Sequence, residues 1–343
     1  MKTRPYLENL GLFLTYKCQV ACSHCLVKAG PHRTETVKED VLYDWIGQAA
    51  AYDGRVRSIN FTGGEPFIDV TLFRKLCAFC LSKGLFPTSV TNAYWAESYE
   101  TAVEVLESIP SLLFLQISAD EHHQKEIPFK RVKNAILAAQ KVKIVSSVVV
   151  CTENEKSFAY IDIINKLAEI VDSEQVRTVV TTPSGRASSA GKILQYEMTD
   201  CLPQGACGGT TNPVILPSGR VSPCMGPIFE LEEDNPMMVG NLFEISLKDV
   251  LDAMEINPVL HFIRTWGPAK LYTMLEENGF GNLLPKQFVK DDVCILCKNL
   301  ISEPKVRAAI TELFCDKDLV ETVAYGREHY LEENEMVNKL GLN

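Results

Sequence analysis

Short apolar runs alternate with longer segments of helical periodicity through the first half of the chain. The runs predicted to be strands are 9–14, 56–61, 86–91, 112–117, 144–150 and 176–181. The segments predicted to be helices are 41–49, 69–83, 97–108, 129–141 and 155–171. This alternation is typical of βαβ units, so we predict an α/β fold with a parallel sheet. Six units favour a partial (β/α)6 barrel over a closed barrel of eight.

The first predicted helix carries a start signal. Thr36 and Glu39 form the Ser/Thr-x-x-Glu pattern of a capping box, in which each side chain accepts from the other residue's backbone N–H. We therefore expect Thr36 to cap this helix.

The alternation stops after the turn-like segment 183–186, and residues 201–230 are rich in Gly, Pro and Cys. Two short apolar runs, 214–216 and 221–223, flank Pro217-Ser218-Gly219-Arg220 and predict a hairpin. Residues after 304 show helical periodicity and end in a Glu-rich stretch. We predict a barrel domain over 1–192, a small cysteine-rich hairpin-plus-helix domain over 193–304, and a helical tail over 305–343.

Composition narrows the class of partner. The 343 residues are 46% hydrophobic and 23% charged, which is typical of a globular protein with a sizeable core. The formal net charge of −10 repels phosphate backbones, so we expect no nucleic-acid partner. Small molecules and peptides remain open, and a basic peptide would be attracted.

The N-terminal residues and the cysteine content predict the cellular compartment of the protein. Residues 1–10 contain no apolar run of the secretory type, and no stretch reaches the ~20 apolar residues of a membrane span. We therefore expect a cytoplasmic protein that does not bind a membrane. Twelve cysteines are many for a reducing compartment, where clustered cysteines usually bind metal or do redox chemistry.

The first cysteine group follows the first predicted strand at once. Cys18, Cys22 and Cys25 lie on one short loop, at the end of a barrel strand where active sites are built. Three thiolates can hold three irons of a [4Fe–4S] cluster and leave the fourth iron open to a ligand. The alternatives are a zinc site with a fourth ligand elsewhere, or cysteines buried in the core.

A glycine pair follows the second predicted strand. In Thr62-Gly63-Gly64-Glu65-Pro66, the glycines allow close backbone approach to a ligand, and Glu65 can accept from an ammonium group. The cysteine triplet of Cys18, Cys22 and Cys25, followed by Gly63-Gly64-Glu65-Pro66, resembles the radical S-adenosylmethionine (SAM) superfamily over about residues 8–190. The resemblance implies a [4Fe–4S] cluster on the triplet, with its open iron chelated by SAM. It also implies that Gly63, Gly64 and Glu65 contact the methionine amino group.

The same resemblance implies further cofactor contacts and a reaction. Ser118 and Asp120, after the fourth strand, match the place that holds the ribose or carboxylate, although both are also common turn residues. The segment of Pro183, Gly185 and Arg186 resembles one near the adenosine. The implied chemistry is reductive cleavage of SAM to a 5′-deoxyadenosyl radical, which abstracts hydrogen from a substrate.

Four later cysteines predict a second cluster. Two flank the hairpin and two form a close pair, namely Cys207, Cys224, Cys294 and Cys297. Four thiolates can close a complete [4Fe–4S] cluster. The arrangement resembles the twitch domain, a shorter relative of the SPASM domain, and implies one auxiliary cluster. A four-cysteine zinc site is the alternative.

The remaining cysteines divide by position. Cys77 and Cys80 lie among apolar residues of a predicted helix, so we predict that both are core residues. Cys151 ends the fifth strand and is a candidate hydrogen-atom donor, as are Cys201 and Cys315, which are also candidate cluster ligands. Simple burial is the alternative for each.

Three histidines lie close to the predicted site in sequence. His122 and His123 are adjacent and are expected to point in different directions, on a surface loop and without a shared metal. His24, inside the triplet loop, is expected to pack over the cluster without binding it.

The first-choice reaction is modification of a ribosomally made peptide, by crosslinking or epimerisation. This follows the resemblance and the acidic charge, and leader binding would then need a separate protein or the barrel itself. A flavodoxin- or ferredoxin-type protein is the expected electron donor. The alternatives are a small-molecule dehydrogenase or epimerase acting on a sugar, an aminoglycoside or a cofactor precursor, and a non-catalytic zinc-binding protein.

Overall fold

The computed structural model describes residues 6–188, 196–231 and 234–333. The boundary predicted between residues 192 and 193, and the last ten residues of the predicted tail, lie outside these ranges. The chain divides into two compact units. The sheet unit comprises Asn9–Tyr196 with Ile215–Ser218, and the helical unit comprises Met1–Glu8, Glu197–Val214 and Gly219–Asn343.

Strands and helices alternate in the sheet unit. In chain order its elements are β1 (Asn9–Thr15), α1 (Glu39–Ala51), β2 (Ser58–Gly63), α2 (Val70–Ser82), β3 (Phe86–Thr91), α3 (Tyr99–Glu107), β4 (Phe114–Ser118), α4 (Glu121–Gln124), α5 (Phe129–Val142), β5 (Val145–Thr152), α6 (Phe158–Ala168) and β6 (Val176–Val180).

These six strands pair in the order β6-β5-β4-β3-β2-β1, and every adjacent pair is parallel. Parallel neighbours need crossovers, which the helices supply. The predicted α/β fold is therefore confirmed. Because all six strands run the same way, their carboxyl ends meet at one edge of the sheet, and the loops that follow them can form one site.

Apolar helix faces pack on the sheet. In α1 the buried residues Leu42, Trp45 and Ile46 recur at helical spacing. In α2 Cys77 and Cys80 are fully buried, so their prediction as core residues is confirmed.

The predicted capping box at the start of α1 is wrong. The helix begins at Glu39 after Lys38, which makes no side-chain cap. Thr36 instead lies 2.8 Å from Thr15, hydroxyl to hydroxyl. Thr36 therefore contacts the end of β1, although the local sequence pattern predicted that it would cap the helix.

The helical unit is built from short strands and longer helices. In chain order these are β7 (Met198–Thr199), β8 (Val214–Ile215), β9 (Val221–Ser222), α7 (Leu247–Ile256), α8 (Pro258–Leu275), β10 (Phe288–Val289), α9 (Val293–Ser302), α10 (Pro304–Leu313) and α11 (Lys317–Leu331). The strand β8 is divided between the units, because its second residue, Ile215, belongs to the sheet unit. The strands β8 and β9 lie where the hairpin was predicted. The helix α8 is interrupted at Gly267, whose φ is 81°.

Buried charges tie α11 to the rest of this unit. The Arg327 guanidinium donates to the Glu255 carbonyl at 2.8 Å and to the Glu333 carboxylate at 2.9 Å. Arg264, on α8, pairs with the same Glu333. Each guanidinium thus finds acceptors in a buried setting, where an unpaired charge would be costly.

Among the described residues, no helix has both the length and the apolar character that crossing a bilayer requires.

Candidate active site

The three cysteines of the triplet lie on a tightly folded loop after β1. Cys18 and Cys22 are buried and Cys25 is half-buried. The Cys18 N–H donates to the Gly30 carbonyl at 3.2 Å, and the Cys25 N–H donates to the Cys22 carbonyl at 3.2 Å. These local bonds fix the loop backbone and hold the three side chains in one region.

Two sulfurs of the triplet each lie beside a hydrogen-bond donor. The Asn92 amide donates to Cys18 Sγ at 3.4 Å, and the Ala29 N–H donates to Cys25 Sγ at 3.3 Å. Hydrogen bonds to cysteine sulfur are a standard means of stabilising iron–sulfur ligation. The donor set therefore fits a cluster held by three thiolates.

The Cys18 thiol is held in its protonated form by its surroundings. Burial raises the pKa of Cys18 to about 12, so this thiol needs a bound metal to become a thiolate at neutral pH.

The glycine pair at the end of β2 is packed against the start of the triplet loop. A Cβ on Gly64 would lie 2.0 Å from the Lys17 carbonyl oxygen, and one on Gly63 would lie 2.3 Å from that of Thr15. The Gly64 N–H donates to the Thr15 carbonyl at 2.7 Å. The glycines thus allow two backbones to meet, and their predicted contact with SAM stays a prediction.

Glu65 is fully buried and fastened to the end of β3. Its Oε1 accepts from the Phe67 N–H and the Thr91 hydroxyl, and its Oε2 accepts from the Asn92 N–H at 2.8 Å. Burial raises the pKa of this carboxyl to about 7. A carboxylate offers about four acceptor positions. These contacts occupy three, which leaves room for one more donor.

Asn92 and Thr91 were missed by the sequence analysis. Both lie at the carboxyl end of β3, next along the sheet from the strand that carries the glycine pair. One sequence signal could have identified them. They are two polar residues in succession at the end of a predicted strand, which is the edge of the sheet where loops form the site.

Ser118 is the last residue of β4 and Asp120 follows the strand, and both are buried. Asp120 caps α4, because its Oδ1 accepts from the His122 and His123 N–H groups at 3.1 Å. Its Oδ2 lies 2.8 Å from His123 Nδ1. Asp120 therefore positions its own helix and histidine, and the assignment of Ser118 and Asp120 to SAM stays a prediction.

The prediction that His122 and His123 lie on a surface loop is wrong. His122 is 1% exposed and His123 is half-buried, both on α4. They do point in different directions. His122 lies 2.9 Å from the Ser23 hydroxyl through Nδ1, and 3.0 Å from the Glu153 carboxylate through Nε2. Tertiary packing of α4 against the triplet loop removes both rings from solvent.

Arg186 is turned toward the triplet loop. Its side chain donates to the Cys22 carbonyl and, at 2.6 Å, to the Ala29 carbonyl. Its own N–H donates to the Cys25 carbonyl at 2.9 Å. Gly185 (φ 64°) allows this approach, since a Cβ there would lie 2.4 Å from the Cys25 carbonyl oxygen. The segment thus clamps the loop, and its contact with adenosine stays a prediction.

The three candidate hydrogen donors differ in setting. Cys151 is the last residue but one of β5 and is partly buried, and burial raises its pKa so that it stays a thiol. Cys201 and Cys315 are exposed residues of the helical unit.

The second cysteine group assembles in the helical unit. Burial raises the pKa of the Cys224 thiol, and the nearby Cys207, Cys297 and Cys294 raise it further. The pair Cys294 and Cys297 lies on α9, where the Asp292 side chain caps the helix by accepting from the Cys294 N–H at 3.0 Å. The structure thus brings together all four cysteines that the sequence grouped.

Comparisons with known proteins agree with the first half of this site. Residues 12–163 match the family model described as the radical SAM superfamily. The Bacillus subtilis (strain 168) protein YydG, whose provisional name assigns it to peptide biosynthesis, is 21% identical over 307 residues. The match covers 87% of this chain and 93% of YydG.

Two solved structures resemble the chain. One is anSMEcpe with bound AdoMet and a Cp18Cys peptide, with a TM-score of 0.48 and 14% identity, covering 76% of this chain and 89% of that one. The other is BtrN in complex with AdoMet and 2-DOIA, with a TM-score of 0.45 and 14% identity, covering 78% of this chain and 91% of that one.

Proposed function

We propose that this chain, whose residues 12–163 match the radical SAM family model, reductively cleaves SAM and uses the resulting radical to modify a peptide. The observation that carries the proposal is the loop of Cys18, Cys22 and Cys25, in which the sulfurs of Cys18 and Cys25 each accept from a hydrogen-bond donor. A cluster bound there supplies one electron to the sulfonium of SAM, which releases methionine and a 5′-deoxyadenosyl radical.

The residues around the loop prepare it for this role. Arg186 holds the loop backbone, and the contact between Gly64 and Thr15 fixes the loop against β2. Glu65 lies in the same region with one acceptor position still open, which suits the ammonium group of methionine. An ammonium there would favour the ionised form of this carboxyl, which burial otherwise opposes.

A peptide is the proposed substrate. YydG supports this choice, since its name refers to peptide biosynthesis and the match spans most of both chains. The net charge of −10 adds a long-range attraction for basic segments of a peptide. Recognition of a leader segment is assigned to the barrel itself or to a separate binding protein.

The four cysteines of the helical unit are proposed to hold an auxiliary [4Fe–4S] cluster. We infer a flavodoxin- or ferredoxin-type electron donor for both clusters. Reduced clusters and twelve free cysteines suit the cytoplasm, which is the proposed compartment.

Cys151 is the proposed hydrogen-atom donor if the reaction is an epimerisation. The 5′-deoxyadenosyl radical takes the hydrogen from a peptide Cα, and the S–H of Cys151 returns one to the other face. This leaves a thiyl radical, which needs one electron from the electron-donor protein and one proton to restore the thiol. The raised pKa of Cys151 supports this role, because only the protonated thiol carries the hydrogen.

The test is anaerobic reconstitution with iron and sulfide, followed by dithionite and SAM. We expect 5′-deoxyadenosine and about eight irons per chain. Incubation with candidate precursor peptides in D2O then reports the reaction, because epimerisation through a thiol introduces one deuterium and crosslinking removes two hydrogens. In Cys151→Ala the deuterium should disappear while 5′-deoxyadenosine persists, whereas Cys315→Ala should behave like the unmodified protein.

Three outcomes would contradict different parts of the proposal, namely the cluster, the substrate class and the hydrogen-atom donor. Absence of 5′-deoxyadenosine with zinc bound would return the chain to the zinc-binding alternative. Turnover of a sugar or cofactor precursor, with none on peptides, would favour the small-molecule alternative. Deuterium incorporation that survives Cys151→Ala would transfer the donor role to another group.

A further inference from the structure

The strand β6 lies at an open edge of the parallel sheet, where it follows β5 as the last strand in the order of pairing. The Thr181 N–H donates to the Thr152 carbonyl at 3.0 Å, which fixes the backbone groups that face β5. Since these groups alternate in direction along a strand, the N–H and C=O of Thr178 and Val180 point away from the sheet. Across the described residues, no hydrogen bond reaches the backbone of either one.

The composition of β6 suits pairing with a further strand. Four of its five residues are β-branched, a type that favours extended backbone. Natural edge strands are commonly guarded by proline, by charges or by a bulge. The strand β6 contains no proline, one charged residue (Arg177) and no shift in its register with β5. Its outer edge therefore offers regular, unpaired donors and acceptors.

An apolar surface of α6 flanks this edge. Tyr160 of α6 lies 2.7 Å from Thr178, hydroxyl to hydroxyl, so the helix packs over β6. The Lys166 ammonium faces α5, because it lies 5.8 Å from the centre of an aromatic ring on that helix. At 3.6 residues per turn, Ile161 and Ile164 lie on the side of Tyr160 away from Lys166, which is the side of the open edge. Ile161 is 45% exposed and Ile164 is half-buried.

The carboxyl end of β6 leads into the candidate active site. The chain leaves β6 through Thr181 and continues to Arg186, which holds the triplet loop. A peptide paired with β6 therefore has one end at the edge of the sheet where the triplet lies. At the other end of β6, the exposed Asp172 and Glu174 precede the strand and attract a basic residue.

We propose that an extended segment of the substrate peptide adds to the sheet as a strand beside β6, and that this pairing delivers neighbouring residues of the peptide to the triplet. The segment has apolar or β-branched residues at alternate positions, for contact with Ile161 and Ile164, and a basic residue beside Asp172 and Glu174. Backbone pairing supplies affinity, and the alternate side chains supply selectivity. The inference rests on the proposed function, because it takes the bound peptide to be the substrate.

The test measures the affinity of the full reconstituted chain for a fluorescent synthetic peptide by anisotropy. The peptide has about ten residues, with valine alternating with serine and lysines at both ends. Two further versions carry N-methyl groups on alternate backbone nitrogens, one version for each edge of the extended peptide. We expect one version to bind like the unmethylated peptide and the other to bind about tenfold more weakly, because only one edge donates to β6.

Three results with these peptides would overturn the proposal. They are absence of binding by the unmethylated peptide, equal loss of affinity in both methylated versions, and no loss in either.

The matching change in the protein is Val180→Pro. It removes an N–H that points away from β5, and edge strands tolerate proline at such a position. We expect the Kd for the unmethylated peptide to rise by about tenfold. Phe86→Ser is the control, because it removes a 52% exposed apolar side chain at the amino end of β3, and its Kd should equal that of the unmodified protein.

An unchanged Kd in Val180→Pro would overturn the proposal. If that variant fails to fold, Ile161→Ser tests the apolar flank of the edge, and an unchanged Kd there overturns it instead.

Light scattering after size-exclusion chromatography tests for another occupant of the edge. A dimer of the unmodified protein that becomes a monomer in Val180→Pro would assign the edge to a second copy of this chain and overturn the proposal. The binding assay uses neither SAM nor a reductant. Docking can therefore fail while SAM cleavage persists, and absence of 5′-deoxyadenosine would contradict the proposed function without changing the measured affinity.

Discussion

The loop that carries Cys18, Cys22 and Cys25 and the group formed by Cys207, Cys224, Cys294 and Cys297 differ in how they are assembled. The loop is closed by backbone hydrogen bonds among residues 16–30, and Arg186 and Gly64 hold it from two sides. The second group draws on three separate segments, of which only α9 supplies two cysteines. A locally closed loop keeps its shape without the metal, whereas a group drawn from distant segments depends on the metal to stay together.

The difference also concerns exposure. Cys18 and Cys22 are buried, whereas Cys294 is exposed and its three companions are partly buried. This difference in exposure supports the proposal that the loop keeps one ligand position open inside a protected site. A group with four thiolates has no position to protect, and it can lie closer to solvent.

The largest expected effect comes from removing any one cysteine of the loop. In Cys18→Ala, Cys22→Ala or Cys25→Ala the cluster loses one of three ligands, so SAM cleavage should fall to background and about four irons should be lost per chain. The measurements are 5′-deoxyadenosine by chromatography and iron by colorimetry.

The matched control for the loop is Cys80→Ala, which removes a buried thiol of α2. It should keep both cleavage and iron, at a modest cost in stability. Cleavage that persists in any of the three loop variants would show that the loop is not the cluster site.

The second-largest expected effect comes from removing a cysteine of the group in the helical unit. Cys294→Ala should lose about four irons, because a closed cluster needs four ligands. Cleavage of SAM without substrate should stay within about threefold of the unmodified protein, since the loop supplies its own ligands. An iron count equal to that of the unmodified protein, or zinc lost in place of iron, would contradict the second cluster.

The smallest effect tests whether the loop is held by packing as well as by its cysteines. Gly64→Ala places a methyl group against the Lys17 carbonyl, where only 2.0 Å is available. We expect a loss of about 3 kcal/mol in the free energy of unfolding, with faster release of iron from the loop. Denaturant unfolding and the rate of iron transfer to a chelator measure the two quantities.

Gly47→Ala is the matched control for this steric argument. Gly47 lies inside α1 with no atom within 4 Å of the added methyl group, so alanine there should stabilise the helix by up to about 1 kcal/mol. Equal changes in the free energy of unfolding for the two substitutions would mean that the contact between Gly64 and the loop does not stabilise the protein.

The amino-acid sequence by itself determined the order of the elements and the location of both cysteine groups. Strand β3 was predicted with the bounds observed, α2 is one residue shorter than predicted at each end, and α5 is one residue longer at its C-terminal end. Periodicity and spacing are local properties of the sequence. A buried helix or strand face therefore gives the same apolar periodicity whatever the tertiary structure around it. The triplet was visible for the same reason, because its three ligands are neighbours in the chain.

Only the tertiary structure decided what the polar residues around the loop contact. Thr36 bonds Thr15 instead of capping α1, and His122 is buried although its sequence suggested a surface loop. Arg186 and Asn92 lie far along the chain from the loop that they hold. Such contacts depend on which loops meet at the carboxyl edge of a parallel sheet, and a one-dimensional pattern carries no information about the direction of an individual side chain.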